Sequence, residues 1–359
     1  MLRNTLPDGL RMGRLHWGGG TPTILPPPLI HRLSEAIRSV FTSADDFEFS
    51  VEIDPTMVDR SKINALAAEG MTRASIGIQD FDPEVQQAIG RIQPFDITRT
   101  CIEYLRAAGT TSLNTDLVYG LPHQTLARLE GTIDKVLTFA SDRIALFGYA
   151  RVPWVSKRQK LIDETTLPSD LARYTLATRA AERFVQAGLT PIGIDHFADP
   201  GDDLAVAHET RRLRRNFQGY TADSCQTLIG LGASSISRFP GGYVQNAPAT
   251  AAYKQRIAQT IFPGSRGYEM THDDQLHARA IETLMCEFTL DLDDLSRHHG
   301  SRAYTLRPCL EDMETRFKPF ARLVGQRISI LPEGRSLTRI IASMLDQHVP
   351  EGVRYSQAS

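Results

Sequence analysis

Short apolar runs alternate with helical stretches from about residue 13 to residue 200, and that alternation limits the fold more than any other feature of this chain. Leu29–Phe41 places Leu29, Leu33, Ile37, Val40 and Phe41 on one helical stripe. Residues 47–53 set Phe47, Phe49, Val51 and Ile53 against Glu48, Ser50 and Glu52, the period of two of a strand with one polar face. The pattern repeats, with strands predicted over 14–17, 73–78, 112–118, 143–149 and 190–194 and helices over 57–69, 97–108, 126–139 and 170–186. Strands separated by helices of this length imply right-handed βαβ units and a parallel sheet. Polar residues or glycines close nearly every strand: Gly18–Thr21, Glu52 and Asp54, Gln79 and Asp80, Asp116, Ala150 and Arg151, Asp195 and His196. A barrel distributes its site over all strand ends in this way, whereas an open doubly wound sheet concentrates it at one switch point. The expectation is an α/β barrel, full or partial. The pattern weakens after Pro200, and a new unit begins near Thr271. The barrel domain is therefore expected over 1–271 and a small, mostly helical domain over 272–359.

The rest of the composition excludes more than it suggests. Basic and acidic residues number 40 and 42, so no global field favours nucleic acid or an anionic membrane. No apolar run approaches the roughly 20 residues of a membrane span, and residues 1–8 carry no apolar signal core, so a cytoplasmic protein without membrane insertion is expected. Cys101, Cys225, Cys286 and Cys309 fit neither a disulfide framework nor a metal knuckle.

The chemistry-bearing candidates sit at strand ends. Gly18-Gly19-Gly20-Thr21-Pro22 follows a strand, and its backbone N–H groups could receive an anion such as a carboxylate. The same residues also fit a plain tight turn. No Gly-Lys-Ser/Thr follows, so this is not a phosphate loop of the Walker type. Glu52 could accept from a ribose diol or an ammonium group. Gln79 offers a donor and an acceptor, and Arg91 could pair with a carboxylate. Asp116 is a carboxylate inside an otherwise apolar strand, a costly placement unless it is used.

Six segments occur in order: Leu15-His16-Trp17-Gly18-Gly19-Gly20-Thr21-Pro22-Thr23, Val51-Glu52-Ile53-Asp54-Pro55, Gly77-Ile78-Gln79-Asp80-Phe81-Asp82, Asn114-Thr115-Asp116-Leu117-Val118-Tyr119-Gly120-Leu121-Pro122, Asp195-His196-Phe197-Ala198 and Arg215-Asn216-Phe217-Gln218-Gly219-Tyr220. Together they resemble the oxygen-independent coproporphyrinogen III oxidases, radical S-adenosylmethionine enzymes of haem biosynthesis. The last two segments favour that family over the haem chaperones of the same superfamily. The resemblance implies a partial (β/α)6 barrel with a C-terminal cap. It implies two S-adenosylmethionine molecules side by side: Gly19, Glu52 and Ile236 toward one, and Gly20, Thr21, Gln79, Arg91, Asp116 and Ala150 toward the other. It also implies a [4Fe–4S] cluster, coproporphyrinogen III as substrate, an electron donor and acceptor, and a monomer. In the family a deoxyadenosyl radical removes a hydrogen from a propionate β-carbon, carbon dioxide leaves, and a vinyl group remains. Arg211, Arg212, Arg214 and Arg215 are candidates for the substrate's carboxylates, against a solvated helix face.

The family's Cys-x3-Cys-x2-Cys motif has no counterpart among the four cysteines. The chain accordingly reads as a fragment or mis-started form lacking the first barrel strand, inactive as given. The competing function is a non-catalytic tetrapyrrole-binding or haem-trafficking protein, with His16, His123 and His196 as candidate axial ligands.

Overall fold

The computed structural model describes residues 1–154, 157–216 and 219–348. They fall into two compact units, one of residues 9–212 and one that runs from Leu213 and includes Met1–Asp8. Phe217 and Gln218 of the sixth motif, and residues 349–359, lie outside the described residues.

The first unit follows the alternation read from the sequence. Its elements are β1 (Arg11–Trp17), α1 (Pro27–Arg38), β2 (Thr42–Ile53), α2 (Arg60–Ala68), β3 (Met71–Gln79), α3 (Pro83–Ala88), α4 (Phe95–Ala107), β4 (Ser112–Tyr119), α5 (Leu126–Leu137), β5 (Arg143–Gly148), α6 (Asp170–Gln186), β6 (Thr190–Ile192), β7 (His196–Ala198) and α7 (Asp203–Glu209). Several of the helices start where the sequence supplies a cap. Asp59, Thr125 and Ser169 accept the N–H of the third helical residue, and Asp82 precedes Pro83 at the first turn of α3.

The sheet runs β1-β2-β3-β4-β5-β7-β6. The first five strands are parallel, and each joins its predecessor on the same side. Such a sheet has no switch point, which favours barrel winding over a doubly wound sheet. One expectation needs correction. Residues 190–194 do not form a parallel strand beside β5. The chain turns back at Gly193, where φ is +56°, and β7 pairs antiparallel with both β6 and β5. Ile192-Gly193-Ile194 reads as continuous strand by hydrophobicity, and the glycine's left-handed conformation breaks it.

Alternation along the strands separates two faces. Phe49, Val51, Ile53, Ala74, Ile76, Ile78, Leu113 and Leu117 are buried, and they pack with Ile30, Ile63, Leu105 and Leu129 of the helices. Each fully buried Phe or Ile contributes about 1.5–3 kcal/mol. The register places His16 beside Ser50, Glu52 beside Ser75, Ser75 beside Asn114, and Gly77, Asp116, Ala145 and His196 in one row. These residues share the opposite, polar face.

The second unit contains the hairpin β8 (Arg214–Asn216) and β9 (Gly219–Thr221). An antiparallel sheet follows from β10 (Ile236–Phe239), β11 (Gly242–Asn246) and β12 (Gly264–Glu269), with α8 (Thr250–Ala258) between β11 and β12. Then come α9 (His272–Glu287), β13 (Thr289–Asp291), α10 (Leu292–His299), α11 (Arg307–Arg316), β14 (Ala321–Val324), β15 (Arg327–Ile330) and α12 (Thr338–Ser343). The last three strands pair in the order β13-β15-β14. A capping box of Thr271 and Asp274 opens α9, at the point where the sequence pattern changes.

Candidate functional site

The polar face of the first unit's sheet is built in layers. At the N-terminal end, Arg73 pairs with Glu48 at 2.8 Å and with Asp203 at 3.2 Å, and Arg143 pairs with Asp202 at 2.7 Å. This end of a barrel carries stability rather than chemistry. The layer toward the C-terminal ends holds the candidates.

Three glycines follow β1 for two different reasons. A Cβ on Gly18 would lie 2.4 Å from His16 Nε2 and 2.7 Å from Glu52 Oε1, so a side chain there would displace both of these groups. Gly19 and Gly20 have φ of +74° and +79°, and a Cβ on either would meet nothing within 4 Å. The loop therefore presents left-handed backbone to open space, a cradle suited to close approach by a ligand. Thr21 precedes the helical turn of Pro22–Ile24 and closes the loop. Gly19 N–H donates to Glu52 Oε2 at 3.1 Å. The adjacent His16 foremost, and then that N–H, hold the Glu52 carboxyl below its ordinary range against partial burial.

Gln79, the last residue of β3, is left-handed at φ +68°. A Cβ on Gly77 would lie 2.7 Å from Gln79 Nε2 and 3.2 Å from Arg91 Nη2, so the glycine makes room for both. Arg91 Nη2 donates to Gly77 O at 2.7 Å, and Arg91 Nε donates to Gln93 Oε1 at 3.3 Å. Asp116 on β4 accepts from Asn114 Nδ2 at 2.8 Å and from Ser75 Oγ at 3.3 Å, with no cation in direct contact. Burial pushes its carboxyl up, and Glu52 adds to that while His196 opposes it. Ala150 follows β5, and its carbonyl accepts from Gln159 Nε2 at 3.0 Å. The structure thus brings Gly19 to Glu52 and Gln79 to Arg91, and sets Asp116 on the same sheet face. Ile236 opens β10 in the second unit, beside Gln245.

Asp80 belongs to the scaffold, although its position at a strand end made it look like a site residue. It is fully buried and accepts from Thr132 Oγ1 and Gln124 Nε2 at 2.6 Å and from Asp82 N–H at 2.7 Å. Gln124 Oε1 in turn accepts from Gly120 N–H at 2.6 Å, so one carboxylate ties the turn after β3 to the turn after β4. Ser75, Asn114 and Asp80 were missed in these roles because polar spacing shows a polar face and not who bonds to whom.

The arginines of residues 211–215 do not form one helix face. Helix α7 ends at Glu209, and Arg212 Nε donates to Thr210 Oγ1. In the second unit Arg214 Nε donates to Glu282 at 2.8 Å, and the Arg215 guanidinium lies 5.5 Å from the centre of the Tyr220 ring. The three histidines weighed as haem ligands already have neighbours: Ser50 Oγ at 2.8 Å for His16, Glu84 at 3.3 Å for His123 and Asp195 at 2.7 Å for His196.

The residues present do not fit an iron–sulfur cluster, which needs a convergent set of thiolates. Cys101 lies on α4, Cys286 on α9 and Cys309 on α11, and Cys225 is exposed outside any element. Burial pushes the Cys101 and Cys286 thiols up to about 12. Among the described residues no three His, Cys, Asp or Glu side chains are grouped to hold a metal ion. The glycine loop and Glu52, in contrast, fit an amino-acid nucleoside. They offer free loop space and a carboxylate kept ionised.

Comparison with known proteins follows the same lines. Residues 8–136 match the radical SAM superfamily. The whole chain is 57% identical to an oxygen-independent coproporphyrinogen III oxidase of Cereibacter sphaeroides and covers 80% of that protein. It is 47% identical to the Paracoccus denitrificans protein of the same name, over 96% of this chain and 77% of that one. Coproporphyrinogen III oxidase of Escherichia coli, described as a radical SAM enzyme, superposes with a TM-score of 0.90 at 33% identity, over 94% of this chain and 78% of that one.

Proposed function

The chain belongs to the oxygen-independent coproporphyrinogen III oxidases of the radical SAM superfamily, and on that premise we propose how its own residues serve the family's reaction. It is an oxidoreductase of porphyrin and haem biosynthesis whose substrate is coproporphyrinogen III. The observation that carries this reading is identity across the entire chain, from the glycine loop through the second unit. The competing haem-trafficking function is not favoured.

S-Adenosylmethionine and a [4Fe–4S] cluster are the cofactors that the superfamily implies. S-Adenosylmethionine would supply the radical that oxidises the substrate's propionate side chains only on receiving one electron from a reduced [4Fe–4S] cluster, for which the described residues offer no convergent thiolates. The four cysteines do not converge to hold the cluster. The left-handed Gly19 and Gly20 present backbone to the amino-acid end of the nucleoside, and Glu52, kept ionised, accepts from its ammonium group or ribose diol. Two molecules are proposed, with Gly19, Glu52 and Ile236 toward one and Gly20, Thr21, Gln79, Arg91, Asp116 and Ala150 toward the other. Gln79 and Arg91, side by side over Gly77, suit a carboxylate and the polar edge of a base. Asp116 suits a cation or a diol, since no cation touches it in the free chain.

By the family resemblance the reaction uses an electron donor and acceptor, and the protein is a cytoplasmic monomer with a barrel domain over 1–271 and a cap domain over 272–359. Equilibrium binding tests the reading. Under anoxia the chain is expected to bind two S-adenosylmethionine molecules and, in a separate titration, coproporphyrinogen III. Binding of neither overturns it, and a stoichiometric Soret band with haem but no nucleoside binding restores the trafficking function.

A further inference from the structure

His16 ends the run of polar residues on β1, directly beside Ser50 in the register of β1 and β2. Its Nδ1 lies 2.8 Å from Ser50 Oγ. Its Nε2 is buried, lacks a hydrogen-bond partner, and stands 3.5 Å from Glu52 Oε1. The other Glu52 oxygen is occupied by Gly19 N–H. The space between the imidazole, the carboxylate and the loop is what Gly18 leaves open by having no side chain.

Two neutral tautomers are available to this ring, and the surroundings choose between them. If Nδ1 carries the proton and donates to Ser50, the Nε2 lone pair faces a carboxylate oxygen, which is repulsive. If Ser50 donates to Nδ1, the proton sits on Nε2 and faces Glu52. A serine hydroxyl can rotate to donate, so nothing opposes the second arrangement. Ser50 therefore acts on Glu52 through the ring between them, and none of the three needs a cation nearby.

We propose that His16 is a positioning residue for the nucleoside site: its ring is held by Ser50 at Nδ1 and its Nε2–H tautomer is selected by Glu52, so that it aims the Glu52 carboxylate beside the Gly18–Gly20 loop. The proposal rests on Glu52 as a ligand of S-adenosylmethionine. It adds a part for His16 and Ser50 that the family motifs do not assign. Ser50 stands two residues behind Glu52 on the same strand face, one strand position further from the loop.

The experiment uses the full chain, S-adenosylmethionine as the calorimetric probe, and histidine ring nitrogens labelled with ¹⁵N for NMR. In the unsubstituted protein the His16 signals, identified by their loss in H16N, are expected to show the Nε2–H tautomer. Asparagine keeps a partner for Ser50 but no group at the Nε2 position, while glutamine reaches that position. H16N is therefore expected to weaken binding about ten-fold or more, the effect of losing a hydrogen bond to a charged group, and H16Q to stay within about three-fold. S50A, which removes nothing that would touch the ligand, should leave the Nε2–H tautomer that Glu52 selects, free the ring to turn, and weaken binding by a smaller factor. An Nδ1–H tautomer in the unsubstituted protein, or H16N binding as tightly as the parent, overturns the positioning role. E52Q separates the underlying reading: if it binds as well as the parent, Glu52 is not a ligand and the site assignment itself fails. The tautomer measurement needs no variant to fold, since His16 can also be recognised by the change in its ring signals as the nucleoside is added.

Discussion

Replacing Asp116 by asparagine should make the protein more stable and its nucleoside site weaker. The carboxylate sits on β4 with Asn114 and Ser75 as its hydrogen-bond partners and no cation in contact. Asparagine is nearly the same size. Its carbonyl can keep the Asn114 bond, and its amide can donate to Ser75 Oγ. What changes is the charge. Burial raises the Asp116 carboxyl above its ordinary 3.8, so the folded state binds the proton more tightly than the unfolded chain does. The sign follows: below pH 3.8 the group costs nothing, and stability is lost as pH rises from there through the raised folded-state value. The variant lacks that loss. The gap between variant and parent should be near zero in acid and reach its full size at neutral pH. Removing a buried charge that lacks a full set of hydrogen-bond partners is worth about 1–3 kcal/mol. For a unit of this size each kcal/mol moves the melting temperature by about 2–4 °C. Differential scanning calorimetry of both proteins between pH 4 and pH 8 measures the gap, since every other titrating group is common to the two. S-Adenosylmethionine binding, measured on the same samples, should fall about ten-fold or more with the loss of a charge-assisted acceptor. A variant less stable than the parent at pH 8, or a gap that does not widen with pH, refutes the account of Asp116 as a carboxylate held for its ligand.

The scaffold carboxylate should behave in the opposite way. D80A leaves the Thr132 hydroxyl, the Gln124 amide and the Asp82 N–H without their acceptor, and should destabilise the protein by about 3 kcal/mol or more in urea unfolding; a cost under about 1 kcal/mol would show that the network re-forms around water. Ellman's reagent at pH 8 should find Cys225 as the fast thiol, with the buried Cys101 and Cys286 protected, and C225S should remove the fast phase. Anoxic incubation of the chain with iron and sulfide should give no stoichiometric [4Fe–4S] spectrum, because its thiols do not converge; a reduced-cluster paramagnetic signal of one spin per chain would contradict that geometry.

What could be read from the sequence, and what could not, follows from how far apart the interacting groups lie along the chain. The strands β2, β3 and β4 were legible because alternation is local: Phe49, Val51 and Ile53 must face one way if Ser50 and Glu52 face the other. Capping residues are local too: Ser169 accepts from Ala172 N–H at the start of α6, and Gly188 is left-handed at φ +94° just past its end. The strand β12 was not legible, since nearly every residue of Gly264–Glu269 is exposed on both faces and no period results. The reversal before β7 was hidden because Ile192 and Ile194 look like one strand until the backbone angle of Gly193 is known. Within the site the same limit applies. Glu52 and Asp116 stand out by their type at a strand end, but His16 and Ser50 are 34 residues apart and Asp80 and Thr132 are 52 apart. A carboxylate kept for a ligand and one kept for the scaffold look alike in sequence. The structure separates them by counting donors: Asp80 is saturated by three that come from its own scaffold, whereas Asp116 has two and no direct cation. A buried acceptor with capacity left over is unfavourable in the free protein. That deficit is what a bound nucleoside would relieve, and it is why D116N and D80A, both removals of a carboxylate from one polar region, are expected to change stability in opposite directions.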